Sequence, residues 1–222
     1  SNSSGYEVCP FAKLAGCIDG CLNTAGRGGM SKGNKTFTAP NGIQLPDNTV
    51  QAARIRRTKM YFEDRSGFFD QLVTEIGKFI LKAVRKGLIP VVRLNGTSDI
   101  AWENQKVTHQ GFTYPNIFAI FSDVQFYDYA KTYNRVSKVL PANYHISLSY
   151  SQSSTKYALG VKRAAVESGL NLVVVVRNES IKQAMIADNS KFIDGDETDL
   201  RFADASNKIV LLKAKGKAKK DT

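Results

Sequence analysis

The sequence contains only three cysteines, two histidines and one tryptophan in 222 residues, and no cysteine follows position 21. It also lacks an uninterrupted apolar run of about 20 residues, which is the length that a transmembrane helix needs. Its first residues do not have the pattern of a signal peptide. We therefore expect neither a membrane protein nor a secreted protein stabilised by disulfides, and the expected location is the cytoplasm.

The few cysteines are clustered: Cys9, Cys17 and Cys21 follow the spacing Cys-x7-Cys-x3-Cys. Because an odd number of cysteines cannot pair completely, and thiolates suit zinc and iron-sulfur clusters, the cluster predicts a metal site. His109, His145 or a carboxylate as a fourth ligand would complete a zinc site, whereas a four-iron cluster held by three cysteines would leave one iron open to a small molecule. The alternative is that the cysteines are buried as small apolar side chains.

Acidic residues are scarce relative to basic ones. The sequence has 31 Lys and Arg against 20 Asp and Glu, which gives a net charge of +11. Basic side chains neutralise phosphates and release counterions, so nucleic acid or a nucleotide is the expected partner. A predicted basic helix, Val50–Lys59, carries Arg54, Arg56 and Arg57, which would contact phosphates unless they form only a solvated face.

Composition divides the chain into three regions. Residues 1–48 are the cysteine-bearing segment and a glycine-rich loop, residues 49–212 are the α/β core, and residues 213–222 are a basic tail. Gly26, Gly28 and Gly29 resemble a phosphate-binding loop only loosely, because the Gly-Lys-Ser/Thr of a P-loop does not follow.

Helices and strands are predicted to alternate through the core. The apolar periodicity predicts helices at 66–86, 114–121, 133–140 and 155–168, and strands at 88–94, 124–131, 144–150, 170–176, 192–202 and 209–212. The strand at 170–176 is so uniformly apolar that we expect it to be buried on both faces. The predicted fold is α/β with a mostly parallel sheet, open or curled into a partial (β/α) barrel.

Polar side chains follow or end several of these strands. The run Asn95, Gly96, Thr97, Ser98 and Asp99 follows the first strand of the core, Asp128 lies in the next, and Asp194 and Asp196 belong to a carboxylate group near the end of the chain. Because the carboxyl ends of parallel strands meet at one edge, we expect Asp99, Asp128, Asp194 and Asp196 to be catalytic candidates there. The alternative for Asp194 and Asp196 is a charged turn that caps the backbone.

Six segments resemble the phage gene-product-88 family across nearly the whole chain. They are CPFAKLAGCIDGCLNTAGRGG, VRLNGTSDI, VQFYDYAK, NYHISLSYS, IDGDETDLRF and LKAKGKAKKDT. The resemblance implies a bacteriophage or prophage origin and a setting in the cytoplasm of the bacterial host.

The order of motifs also resembles the partial (β/α)6 barrel of radical SAM enzymes. That resemblance implies a 4Fe-4S cluster on Cys9, Cys17 and Cys21, and S-adenosylmethionine contacts from residues 95–98 and from Ser147 in the segment Ile-Ser-Leu-Ser. The cysteine spacing is longer than the Cys-x3-Cys-x2-Cys of that family, and Leu22 replaces the aromatic residue beside its last cysteine.

Three functions are compatible with these patterns. The first is a phage metal- or iron-sulfur-dependent enzyme, similar to radical SAM enzymes, that acts on a nucleotide or nucleic acid. The second is a nucleic-acid-binding or host-interaction module with structural zinc. The third is a base-exchanging, transglycosylase-like barrel with an aspartate nucleophile.

Overall fold

The computed structural model describes residues 4–18, 20–22, 36–38, 44–46 and 48–220. Its strands are β1 (Thr36–Thr38), β2 (Gln44–Pro46), β3 (Val91–Val92), β4 (Val107–His109), β5 (Phe112–Tyr114), β6 (Gln125–Ala130), β7 (Tyr144–Ser149), β8 (Leu172–Val176), β9 (Phe192–Asp194) and β10 (Ile209–Lys213). Its α-helices are α1 (Thr49–Glu63), α2 (Arg65–Val84), α3 (Ile117–Ile120), α4 (Thr155–Ser168) and α5 (Glu179–Asp188). The predicted glycine loop at residues 26–29 lies outside the described residues.

The core is a six-stranded sheet in the order β3-β6-β7-β8-β10-β9. All of its neighbouring strands are parallel, which confirms the predicted α/β fold with a parallel sheet. Within the described residues β3 and β9 are the two edges. The sheet is therefore open, and its curvature into a partial barrel stays a prediction.

The two faces of the sheet differ in chemistry because side chains alternate along each strand. One face is buried against α2 and α4, and its fully buried apolar side chains on β6 and β7 are Phe126, Ala130, Ile146 and Leu148. The other face, which we call the polar face, carries Tyr127, Tyr129, His145 and Ser147. This division separates the apolar core from the side chains that remain available for polar contacts.

The polar face is covered by the connection between β9 and β10, residues 195–208, which we call the return segment. Because β10 lies between β8 and β9, the chain reverses its direction across the sheet after β9. A right-handed connection must then run across the opposite face from the helices. The ring of Phe202 accordingly lies 5.8 Å from that of Tyr127, measured between centroids.

Side chains and backbone geometry define the ends of the longer helices. The Asp64 carboxylate caps α2 by accepting a hydrogen bond from the Gly67 N–H, and Ser154 caps α4 through the Tyr157 N–H. Gly169, at φ +70°, ends α4 in the left-handed conformation that glycine adopts without strain. In the described part of the chain, no helix is both long and apolar enough to cross a bilayer.

Some element boundaries differ from the sequence predictions. The predicted strand at 88–94 is reduced to β3. Of the predicted helix at 114–121, only α3 (Ile117–Ile120) is helical, and Tyr114 is the last residue of β5. The strand predicted at 192–202 ends at Asp194, because the return segment leaves the sheet there. The expectation that β8 is buried on both faces was wrong, since Val175 is 55% exposed.

Candidate functional site

The loop after β3 is held to β6 by a buried pair of polar residues, Asn95 and Asp128. The Asn95 backbone N–H donates to Oδ1 of Asp128 at 2.7 Å, and Nδ2 of Asn95 donates to Oδ2 at 3.2 Å. Oη of Tyr144 donates to the same Oδ2 at 2.9 Å. Burial raises the pKa of Asp128 to about 7, although these three donors favour its ionised form. Because side chains alternate along β6, Asp128 faces the helices, away from the polar face that carries Tyr127 and Tyr129.

Asn95 also sets the shape of the loop that was predicted to bind a cofactor. Its Oδ1 accepts hydrogen bonds from Oγ of Ser98 at 2.8 Å, the Ile100 N–H at 3.0 Å and Nε1 of Trp102 at 3.1 Å. Gly96 is exposed and Thr97 is half-buried at the tip of this loop. Asn95 and Ser98 thus stabilise a turn that presents Gly96 and Thr97 at the carboxyl end of β3.

Asp99 connects this loop to the carboxyl end of β6. Its Oδ2 accepts from the N–H groups of Lys131 and Thr132, at 3.0 and 2.7 Å, and from Oγ1 of Thr132 at 2.7 Å. Its Oδ1 is 3.0 Å from Nη1 of Arg135, which is almost completely buried. The same guanidinium donates to both carboxylate oxygens of Glu103 at 2.9 and 2.6 Å. Asp99 is therefore part of a buried ion-pair network.

The three predicted ligands lie beside this network. Cys9, Cys17 and Cys21 are half-buried, and none of the three forms a disulfide within the described residues. Burial raises the pKa of the Cys9 thiol to about 12; Lys131 lowers it, whereas Asp99 and the other two thiols raise it. Burial also raises the pKa of Cys17, with smaller effects from the same neighbours. The thiols thus lie near one another at the carboxyl end of β6.

The N-terminal segment is fixed to the carboxyl edge by ordinary packing and hydrogen bonds. The Asp99 N–H donates to the Val8 carbonyl at 2.7 Å. The Phe11 ring packs edge-on against Tyr133, with centroids 5.3 Å apart. A Cβ at Gly16 would overlap the side chain of Ser153, so the segment approaches the loop after β7 closely. These contacts place the thiols over the edge at which parallel α/β folds bind ligands.

The thiols are not arranged as a preformed site. Cys17 donates its S–H to the Ala12 carbonyl at 3.5 Å. Among the described residues, no group of three or more His, Cys, Asp or Glu side chains is placed to hold a metal ion. His109, one of the predicted fourth ligands, lies in β4 with Nδ1 2.7 Å from Oδ1 of Asp70. His145 lies on the polar face, with Nε2 3.4 Å from Oγ of Ser147, and burial together with Arg201 lowers its pKa.

The sequence matches a known protein family over its whole length. The family model described as Gene product 88 matches residues 1–222. The chain belongs to the Gene product 88 family. This is a family of phage gene products, so the predicted bacteriophage connection is confirmed. No curated protein and no solved structure matches the chain. The resemblance to radical SAM enzymes stays a prediction.

In this member of the family, Asp194 and Asp196 form ion pairs around Lys182. Nζ of Lys182, which is 2% exposed, lies 2.8 Å from Oδ1 of Asp194 and 3.2 Å from Oδ2 of Asp196. Lys215 adds an ion pair to Asp196 at 3.0 Å. Although burial acts in the opposite direction, these partners lower the pKa of both carboxyl groups. Both carboxylates therefore have structural partners at the ends of β9 and β10.

The predicted phosphate contacts of this family member lie on α1. Arg56 and Arg57 are exposed and Arg54 is half-buried. Glu103, Arg135 and Lys182, which hold the buried networks, were not predicted from the sequence. A pattern of charged residues does not reveal which of them a long-range contact will bury.

Proposed function

We propose that the protein is a phage enzyme, similar to radical SAM enzymes, in which Cys9, Cys17 and Cys21 hold an iron-sulfur cluster. Its substrate would be a nucleotide or nucleic acid in the cytoplasm of the bacterial host. The observation that carries this proposal is the position of the three cysteines over the carboxyl edge of a parallel sheet. That edge is where α/β folds commonly bind ligands and perform chemistry.

The donor chemistry fits a cluster, although ligation would require the thiols to move closer together and lose their protons. Three thiols lie within the segment Cys9–Cys21, and thiolate sulfur is the usual ligand of iron-sulfur clusters. Metal binding releases thiol protons, so the raised pKa of Cys9 would be reversed by a bound cation. When bound, a cluster of this kind supplies an electron for reductive cleavage of S-adenosylmethionine.

The chain's own residues would position the small molecule. The turn organised by Asn95 presents Gly96 and Thr97 beside the cysteine segment, and the backbone at this accessible tip would hydrogen-bond an amino acid moiety. The ion pair between Asp99 and Arg135 keeps this turn attached to β6. Asp99 and Asp128 would therefore act as positioning residues, because both carboxylates are buried and fully engaged.

A second candidate function is a nucleic-acid-binding or host-interaction module with structural zinc. The integration of the N-terminal segment into the fold favours it, since a zinc ion at the same cysteines would fasten Val8 and Phe11 against the sheet edge. The third function, a transglycosylase-like enzyme, is less well supported, because Lys182 already pairs with Asp194 and Asp196.

Metal analysis of three variants tests the proposal and separates the two candidates. After anaerobic purification we expect iron and sulfide, with visible absorption, in the wild-type protein, and loss of both in Cys17→Ser and Cys21→Ser. Lys13→Ala is the matched control, since Lys13 is exposed in the same segment. Stoichiometric zinc without iron would favour the second candidate. Unchanged metal content in both cysteine variants would rule out the cysteine site.

A further inference from the structure

The return segment inserts one carboxylate, Asp199, into a group of donors on the polar face. Oη of Tyr127 donates to Oδ2 at 3.1 Å, and Oη of Tyr129 donates to Oδ1 at 3.0 Å. Nη1 of Arg93 donates to Oδ2 at 3.3 Å. Arg93 directly follows β3, and both tyrosines lie in β6. Three donors, two from β6 and one from the residue after β3, therefore converge on a carboxylate supplied by a distant part of the chain.

Two of the donors, Arg93 and Tyr129, also contact each other directly. The guanidinium of Arg93 stacks over the ring of Tyr129, 4.5 Å from its centroid. The Arg93 side chain is only 23% exposed, and its Nε is buried with no hydrogen-bond partner within the described residues. Burial, together with Asp199, raises the pKa of Tyr127 and of Tyr129, so both phenols keep their protons and donate. The guanidinium thus retains an unused donor beside the carboxylate.

The carboxylate itself is a weak occupant. The Asp199 side chain is 61% exposed, and ion pairs with exposed partners contribute little to stability. A carboxylate offers two oxygens and one negative charge. A phosphate group offers three oxygens and a larger charge, and its geometry matches two adjacent N–H groups of an arginine. The donors of Arg93, Tyr127 and Tyr129 therefore suit a phosphate better than they suit Asp199.

A second buried cation strengthens the positive potential of this face. Arg201 is fully buried, and its charge lowers the pKa of His145 and acts on both tyrosines. Its one ion-pair partner among the described residues is Asp204, with Oδ2 3.2 Å from Nη1. In the low-dielectric interior such a charge attracts an anion at the neighbouring site more strongly than in water.

We propose that Arg93, Tyr127 and Tyr129 form a phosphate-binding site on the polar face, and that Asp199 occupies it from within the chain until a phosphate-bearing ligand displaces it. The inference rests on the proposed function for its nucleotide or nucleic-acid substrate and assigns the contact for the phosphate. Arg93 and Tyr129 lie near the carboxyl ends of β3 and β6, on the same edge of the sheet as the cysteine segment.

Calorimetric titration of the 222-residue chain with inorganic pyrophosphate at constant salt tests the site. Asp199→Asn removes the competing charge, so we expect pyrophosphate to bind about tenfold more tightly. Arg93→Gln removes the principal donor and should weaken binding by at least about tenfold. Glu197→Gln removes an equal charge from the same segment, and Arg177→Gln replaces an exposed arginine that likewise directly follows a strand. Both controls should bind as the wild-type protein does.

Further arms identify the source of the phosphate. Adenosine monophosphate, adenosine and a single-stranded oligonucleotide are titrated in the same way, and adenosine should not bind at this site. Binding of the monophosphate alone would indicate a nucleotide ligand, whereas competition by the oligonucleotide would indicate a nucleic-acid backbone. If Arg93→Gln does not fold, the double variant Tyr127→Phe, Tyr129→Phe replaces it, with circular dichroism as the check on folding.

The proposal is overturned if Asp199→Asn binds pyrophosphate no better than Glu197→Gln does, or if the donor variants bind as well as Arg177→Gln. Titration of Cys21→Ser separates this result from the proposed function. If Cys21→Ser loses the metal but binds pyrophosphate as the wild-type protein does, both proposals stand. Absence of iron and zinc from the wild-type protein would reject the metal site and leave the phosphate site standing.

Discussion

The buried carboxylates of Asp99 and Asp128 differ in how their negative charges are stabilised. Asp99 receives a guanidinium and three further donors, so its charge is compensated by Arg135. Asp128 receives three donors but has no ion-pair partner within hydrogen-bonding distance in the described chain. Because an uncompensated buried charge is costly, the two carboxylates should respond differently to pH.

Asp128 should make the stability of the protein fall as the pH rises toward neutrality. Its folded-state pKa of about 7 lies above the unfolded value of about 3.9, so the folded state binds the extra proton between these two values. The free energy of unfolding therefore decreases across this window, by at most about 4 kcal/mol. Asp128→Asn cannot titrate, and its free energy of unfolding should lack this decrease.

Urea unfolding at pH 5, 6 and 7 measures the effect as the difference between the wild-type protein and Asp128→Asn, which cancels the contributions of other groups. The wild-type protein should lose stability relative to the variant at each step. Parallel curves over this range would show that Asp128 is ionised throughout, with its three donors outweighing burial.

The sequence indicated the neighbourhood of these residues but not their roles. Asn95, Asp99 and Asp128 were expected at the carboxyl ends of strands, and the structure places the first two there. Strand alternation assigns Asp128 to one of two faces, and only the packing of the helices decides which face is buried. The partner of Arg93 is 106 residues away in Asp199, and no local pattern encodes a contact at that separation.

Two helices provide a matched test of how packing overrides helix propensity. Gly160 in α4 faces the ring of Tyr133, which an added Cβ would overlap, whereas Gly77 in α2 has nothing within 4 Å of that position. Replacing a helical glycine with alanine normally stabilises a protein by about 0.5–1 kcal/mol. We expect that gain for Gly77→Ala, but a loss of about 1–3 kcal/mol for Gly160→Ala.

Urea unfolding of the two alanine variants beside the wild-type protein checks this prediction. Tyr133 also contacts Phe11, so Gly160→Ala should additionally loosen the N-terminal segment and increase its cleavage by protease. A stabilised Gly160→Ala would mean that the Tyr133 ring moves without cost, and that the segment is fixed mainly by the hydrogen bond from Asp99 to Val8.

At the level of elements, the sequence was most informative where local signals are strong. The predicted helix at 155–168 coincides with α4, because Ser154 caps its start and Gly169 ends it. The hairpin of β4 and β5 was not predicted, since its strands are three residues long and carry little periodic signal. The two-residue strand β3 was predicted too long. It pairs with β6 alone, and the apolar pattern does not show how far that pairing extends.

The molecule as a whole combines a net positive charge with two separate basic regions. One is α1 with its exposed Arg56 and Arg57, and the other is the C-terminal region. The predicted tail begins at Lys213, which is the last residue of β10, and the next residue, Ala214, is buried. Deleting residues from Lys213 onward would therefore damage the sheet, and a test of the charge must use substitutions.

Two double variants that remove the same charge locate the surface that meets nucleic acid. Arg56→Gln with Arg57→Gln removes two positive charges from α1, and Lys217→Gln with Lys219→Gln removes two from the C-terminal region, so each lowers the net charge from +11 to +9. If both arginines contact phosphates, the slope of log affinity against log salt for a single strand should become shallower by about 1.4 for the α1 variant. We expect a smaller change for the C-terminal variant, because Arg56 and Arg57 are both exposed on a well-formed helix that can present them to phosphates. Fluorescence titration of a labelled single-stranded oligonucleotide over a range of salt concentrations gives both slopes. Equal changes of slope in the two variants would show that binding depends on net charge and not on a defined surface. A wild-type affinity that is independent of salt would reject a nucleic-acid ligand in favour of a small nucleotide.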